Sequence, residues 1–220
     1  MIAPLHFADA REAADLAAFL TRLIHYDRAA AVRLQAGGGA LAVFGRPPSF
    51  EVLAVRTARL VDDVRLDVTV SAGELLEGIE ESAGKAVVPD TVTGPPWAGV
   101  LPPRGGWEPV EGVPGARELR GAVAAAVAEF RSRDEELPQE RRTRAERDRL
   151  GREIWSRTVA GTDLPLRAVH AAQSLGFLPP YDIPVALFAS GPWLRLRTPY
   201  GSIALRTAPM SLTVTPGAPR

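Results

Sequence analysis

The chain has 220 residues, with 26 basic and 26 acidic side chains, no Cys and no Asn. That length suits one larger domain or two small ones and buries roughly 70% of the unfolded surface, enough for a core without disulfide or metal. The lack of Cys excludes thiolate catalysis and cysteine zinc sites. No segment approaches the ~18 unbroken apolar residues of a membrane span, and the start MIAPLHFADAREA has no basic stretch followed by an apolar run, so a cytoplasmic protein is expected.

In chain order, Asp9 and Glu12 form a capping box ahead of a helix with Leu16, Leu20, Leu23 and Ile24 on one stripe. AVRLQA and ALAVFG, joined across Gly37, Gly38 and Gly39, predict a hairpin, and FEVLAVRTARL and VRLDVTV predict two further strands. A second capping box, Ser71 and Glu74, opens a short helix through Leu75, Leu76 and Ile79 to a stop at Gly84. Residues 86–116 are dense in Pro and Gly and sustain neither helix nor central strand. Trp97 and Trp107 within them carry too much apolar area for a solvated linker, so this stretch is expected to drape over the fold with both rings partly covered. Helices follow over about 117–137, 138–160 and 164–175, the first burying Leu119, Val123, Val127 and Phe130. The chain then closes on the strands VALFA, WLRLRT and SIALRT.

The expected fold is α+β: an N-terminal α-β-β-β-β-α antiparallel sheet unit over 1–85, a Pro/Gly/Trp-rich linker packed on the fold over 86–116, a helical segment plus β-hairpin over 117–207, and a loose tail over 208–220. Residues 1–110 carry 10 basic and 14 acidic side chains and residues 111–220 carry 16 and 12, so net −4 precedes net +4.

Catalytic motifs fail on context. Gly37, Gly39 and Ala42 have the spacing of a dinucleotide loop, but a strand follows them where a helix N-terminus is required. The stretch from Gly78 to Gly84 and Lys85 has one residue too many for a phosphate loop and Ala86 where a hydroxyl is needed. His6, His25 and His170 lie far apart with no ligand spacing, and the pairs Asp62-Asp63, Glu80-Glu81 and Glu135-Glu136 fall in a turn or at helix ends, where solvation accounts for them. No cofactor or metal is expected, and a catalytic role survives only as a pocket assembled from distant residues with Arg binding an anionic ligand.

Two binding readings remain. Trp97, Trp107, Trp193 and Tyr200 stand in loop or hairpin contexts, where such residues anchor interfaces, so the leading expectation is a non-catalytic binding or scaffold protein that contacts another protein or itself where the N-terminal sheet meets the Pro/Trp segment. The competing explanation is that these rings seal a core. The alternative is DNA binding: the helices flanking Gly161 and the following hairpin have the order of a winged helix, with Arg167 and Gln173 on a helix, and strand alternation turning Trp193, Arg195 and Arg197 away from inward Leu194 and Leu196. Against it, Glu140 with Arg144, Asp148 with Arg152 and Glu153 with Arg157 are spaced for neutralisation along the helix.

The segments PPWAGVLPPRGGWEPV, REIWSR, LPLRAVHAAQSLGFL and GPWLRLRTPYGSIALR, within residues 95–206, resemble an uncharacterised actinobacterial protein family. The resemblance implies no activity and no site residues. The N-terminal α-β-β-β-β-α order is also similar to half of a sliding-clamp domain, a likeness of topology that carries no function.

Overall fold

The computed structural model describes residues 4–207, so the expected tail over 208–220 lies outside the described residues. Strand β1 (Leu5–His6) leads into helix α1 (Ala10–Tyr26), where Asp9 accepts from the Glu12 backbone N–H at 3.0 Å and Leu16, Leu20 and Leu23 are fully buried. Strands β2 (Ala31–Gly37) and β3 (Ala40–Gly45) form the expected hairpin. Its turn places Gly38 and Gly39 at φ 61° and 71°, a tight-turn conformation that β-carbons disfavour. Strands β4 (Leu53–Arg59) and β5 (Leu66–Ser71) complete the N-terminal set.

Helix α2 (Ala72–Glu77) is shorter than the sequence pattern predicts. A β-carbon on Gly78 would meet the Val87 carbonyl at 2.6 Å; the chain leaves the helix there, passes through β6 (Ile79–Glu80) and a 3-10 turn closed by Gly84 at φ 59°, and returns as β7 (Lys85–Ala86) beside β1. The Pro-rich stretch contributes more than a drape. Its β8 (Glu108–Val110) pairs with a later strand at the end of the sheet, where the missing N–H of Pro109 is tolerated.

Helix α3 (Ala116–Glu136) buries Leu119 and Val123, with Val127 and Phe130 half-buried. The helix predicted over 138–160 is broken: Gln139–Arg141 is a 3-10 turn, and α4 (Arg144–Trp155) starts afresh where Thr143 accepts from the Glu146 N–H. Its ion pairs also differ from the expected ladder. Of the three pairs predicted along the helix, Glu153–Arg157 forms, at 3.6 Å; Arg149–Glu146 pairs along it at 2.7 Å, and three short contacts run across to α3: Arg133–Glu153 at 2.6 Å, Arg157–Glu129 at 2.6 Å and Arg147–Asp134 at 2.7 Å. Helix α5 (Leu166–Ser174) is followed by strands β9 (Ala186–Ser190), β10 (Trp193–Thr198) and β11 (Gly201–Arg206).

One eight-stranded antiparallel sheet results, ordered β5-β2-β3-β4-β11-β10-β9-β8. The two halves of the sequence supply four neighbouring strands each and join at β4 and β11 through three residue pairs, Ser202 with Val55, Ile203 with Ala54 and Ala204 with Leu53. All five helices contribute to a core on one sheet face, and that core crosses the join: Phe19 of α1 stacks on Phe177, which follows α5, at 5.5 Å between centroids. Removing the Phe177 ring leaves a cavity shared by both halves. Phe177→Ala is expected to cost about 3–5 kcal/mol in urea unfolding, with Trp fluorescence and far-UV circular dichroism still reporting one coincident transition.

The β3–β4 connection is held in strained backbone, with Ser49 at φ 69° and Glu51 at φ 54° on either side of Phe50. Phe50 packs edge-on to His170 at 5.1 Å, and His170 stacks on Trp155 at 4.3 Å. This desolvation lowers the His170 pKa below the ordinary histidine value. The unfolded chain therefore takes up a proton before the folded one does, so the stability contributed by this site is full above the unfolded pKa, ~6.5, and falls as pH drops below it toward the folded pKa. Urea unfolding at pH 7.5 and 5.0 should show a loss at the lower pH that is smaller in His170→Phe.

Candidate functional site

Strand alternation gives the sheet a second face, away from the helices, whose composition changes from the join outward. At the join Leu53, Ala204 and Trp193 form a small apolar cluster, and Trp97, Leu101 and Trp107 from the Pro-rich segment pack over it. Both rings of that segment are thus partly covered, and Trp193 is 9% exposed. Trp107 donates from Nε1 to the Pro103 carbonyl at 2.9 Å, which closes the loop between them and fixes the ring.

Next to this cover the face is open, with arginines and hydroxyls above an apolar floor. The register sets Phe44, Val55, Ser202 and Arg197 directly opposite one another across β3, β4, β11 and β10, with Arg33 of β2 at the far end of the row. The neighbouring row brings Arg195 between Ala204 and Phe188. Arg195 donates from Nε to Ser202 Oγ at 2.9 Å, and its guanidinium carbon lies 5.7 Å from the Trp107 ring centroid.

Hollows of about 350 and 330 Å³ adjoin on this face, sharing Val55, Thr57 and Arg195. The first also takes in Phe188, Arg197 and Ser202, the second Phe44, Ala42, Gln35 and the Pro102-Pro103 wall, and a third of about 300 Å³ lies between Trp107, Phe188, Arg195 and Arg197. Among the described residues no Asp or Glu lines any of the three. Burial, and after it the charge of Arg197, lowers the Arg195 pKa from its usual value. A guanidinium does not deprotonate at neutral pH, so the direction of that shift marks a positive charge taken out of water without a counter-charge.

The residues singled out in the sequence separate into three places. Trp97, Trp107 and Trp193 meet in the apolar cover, and Arg195 and Arg197 lie beside it. Tyr200 lies elsewhere, at a hollow of about 230 Å³ with Asp15, Arg22, Arg56 and Tyr181, where the two phenol oxygens are 2.7 Å apart. That hydrogen bond is the main cause of a raised Tyr181 pKa. Arg167 and Gln173 are on α5, which packs on the opposite side of the sheet from the side chains of Arg195 and Arg197; Arg167 approaches Glu51 at 3.8 Å. The four residues of the winged-helix grouping therefore do not share a surface. Sequence reasoning missed Phe44, Thr57, Phe188 and Ser202: alternation places each on the right face of its own strand, but nothing local reports that β4 and β11 are neighbours.

The three imidazoles are dispersed. His6 contacts Asp62 at 3.0 Å on the exposed surface, His25 packs against Tyr26, and His170 sits among aromatic rings. Among the described residues no group of three or more His, Asp or Glu is arranged to hold a metal ion, and no helix is long and apolar enough to cross a membrane.

Residues 1–99 match the family model of a domain of unknown function, DUF8010, and residues 102–210 match a second, DUF8185. No curated protein matches the chain. The break between the two matches falls in the Pro-rich segment that covers the join of the sheet. The chain is a member of an uncharacterised protein family, built from a DUF8010 domain followed by a DUF8185 domain.

Proposed function

We propose that this is a non-catalytic cytoplasmic binding protein whose recognition surface is the open sheet face beside the Pro/Trp segment, and whose partner presents an anionic group to Arg195 and Arg197. One observation carries the reading: a set of adjoining hollows without a single carboxylate contains a half-buried arginine with its charge unanswered. Folding such a charge into a partly dry site is unfavourable unless something supplies the opposite sign. Ser202 holds one edge of the Arg195 guanidinium and Trp107 flanks it, which pre-orients the remaining N–H groups for an oxyanion.

A binding role also accounts for what surrounds the arginines. Thr57 and Ser202 add hydroxyls that accept or donate as a ligand requires, and the rigid Pro102-Pro103 wall limits the entropy lost when a ligand docks. No imidazole or carboxylate lines these hollows to act as general acid or base.

The test is ligand-linked stability. Inorganic phosphate at ten times its Kd should stabilise the protein by about 1.4 kcal/mol, read as a rise in Tm of about 3–6 °C for a chain of this size, relative to chloride at the same ionic strength. The Arg195→Gln/Arg197→Gln variant, with a native circular dichroism spectrum, should not respond. Equal responses from both proteins would reject the site.

A further inference from the structure

Resting on that reading, we infer that the ligand is a small organic anion with one oxyanion head on a flat apolar body. The head end is defined by Arg195 and Arg197, two residues apart on β10 and pointing the same way, with the Ser202 hydroxyl beside them. Among the described residues neither has a carboxylate partner, whereas Arg104, on the rim of the adjoining hollow, lies close enough to Asp67 to help lower its pKa. The unanswered positive charge is thus concentrated at one end.

The other end is apolar. From Arg195 the second hollow runs over Val55, Phe44 and Ala42 under Pro102 and Pro103. Its volume of about 330 Å³ falls within the range of small-molecule sites and is far more than a bare oxyanion needs. An inorganic ion at the head would leave this apolar floor wet, while a ligand that carries its charge on a ring or similar flat body would cover it and gain that burial. Phe188 and Trp107, only half-buried beside the arginines, leave aromatic surface on which a planar body packs better than a branched one.

Calorimetric titration with 2-naphthoate, 2-naphthalenemethanol, acetate and inorganic phosphate separates the contributions. Wild type should bind 2-naphthoate one to one, at least about tenfold tighter than each of the other three, and Arg195→Gln/Arg197→Gln should lose that preference over the neutral alcohol. Thr57 is exposed and borders both hollows, so Thr57→Glu tests the same point without disturbing the core: its carboxylate supplies the missing counter-charge, and 2-naphthoate binding should fall at least about tenfold. Phosphate or acetate binding as tightly as 2-naphthoate would overturn the flat apolar body while leaving the anion site standing. Failure of 2-naphthoate and phosphate alike, or 2-naphthoate binding unchanged in both variants, would remove the anion site as well.

Discussion

The pairing of β4 with β11 is three residues long, and the arrangement of both faces follows from it. On the helical side it brings α1 and the segment after α5 close enough for Phe19 to stack on Phe177, so the cores of the two halves become one. Arg56 of β4 reinforces the same join. Its side chain is 8% exposed; it donates to Asp15 of α1 at 2.9 Å and to the Tyr200 carbonyl, in the β10–β11 turn, at 2.6 Å, with Glu12 at 3.7 Å. Its Nε has no partner among the described residues. Burying a guanidinium in this way is weak as a source of stability, because desolvation offsets most of the attraction. What it supplies is orientation: a fixed fork selects one position of the turn relative to α1, as apolar contacts alone would not.

On the other face, the join explains why an open surface is left over. Eight strands with helices on one side expose a wide second face, and apolar residues there must be covered or used. The Pro-rich segment covers the part that is most apolar, Leu53, Ala204 and Trp193, and stops there. Its Pro102, Pro103 and Trp107 then wall the neighbouring hollows, with Trp107 pinned by the Pro103 carbonyl against Arg195. Covering the join and shaping the site are one structural act. Of the two meanings the tryptophans had in the sequence, the sealing of a small cluster is seen for Trp97, Trp107 and Trp193, and Trp107 alone of them also borders a hollow of the open face.

What the sequence made legible was local. The Asp9 and Ser71 caps, the Gly38-Gly39 turn and the alternation in WLRLRT each depend on residues within a few positions of one another, and each appears as expected. What it concealed was non-local. Gly78 lets a carbonyl nine residues on approach the end of α2; Arg133 and Arg157 reach Glu153 and Glu129 across a helix pair as well as along it; and Thr57 comes near Arg195 because β4 and β11, about 150 residues apart in the chain, lie side by side. The site was half visible for the same reason: Arg195 and Arg197 could be placed on a face, but the floor that makes them a site comes from the other half of the chain.

The arginines themselves fall into two populations, and electrostatics distinguishes them where sequence could not. In the α3–α4 pair, Arg133, Arg147, Arg149 and Arg157 have raised pKa values, in each case first through a hydrogen bond to a carboxylate. These side chains are exposed or half-exposed, so such pairs contribute little each and act mainly to cancel charge along a solvated hairpin. Arg195 is shifted the opposite way, by burial and by a like charge. An arginine-rich C-terminal half looks in sequence like a single basic surface suited to a polyanion. In the folded chain part of that basic character is neutralised from within, so the arginine count overstates the positive surface open to a partner, while Arg195 and Arg197, neighbours on the sheet, have no ion pair among the described residues.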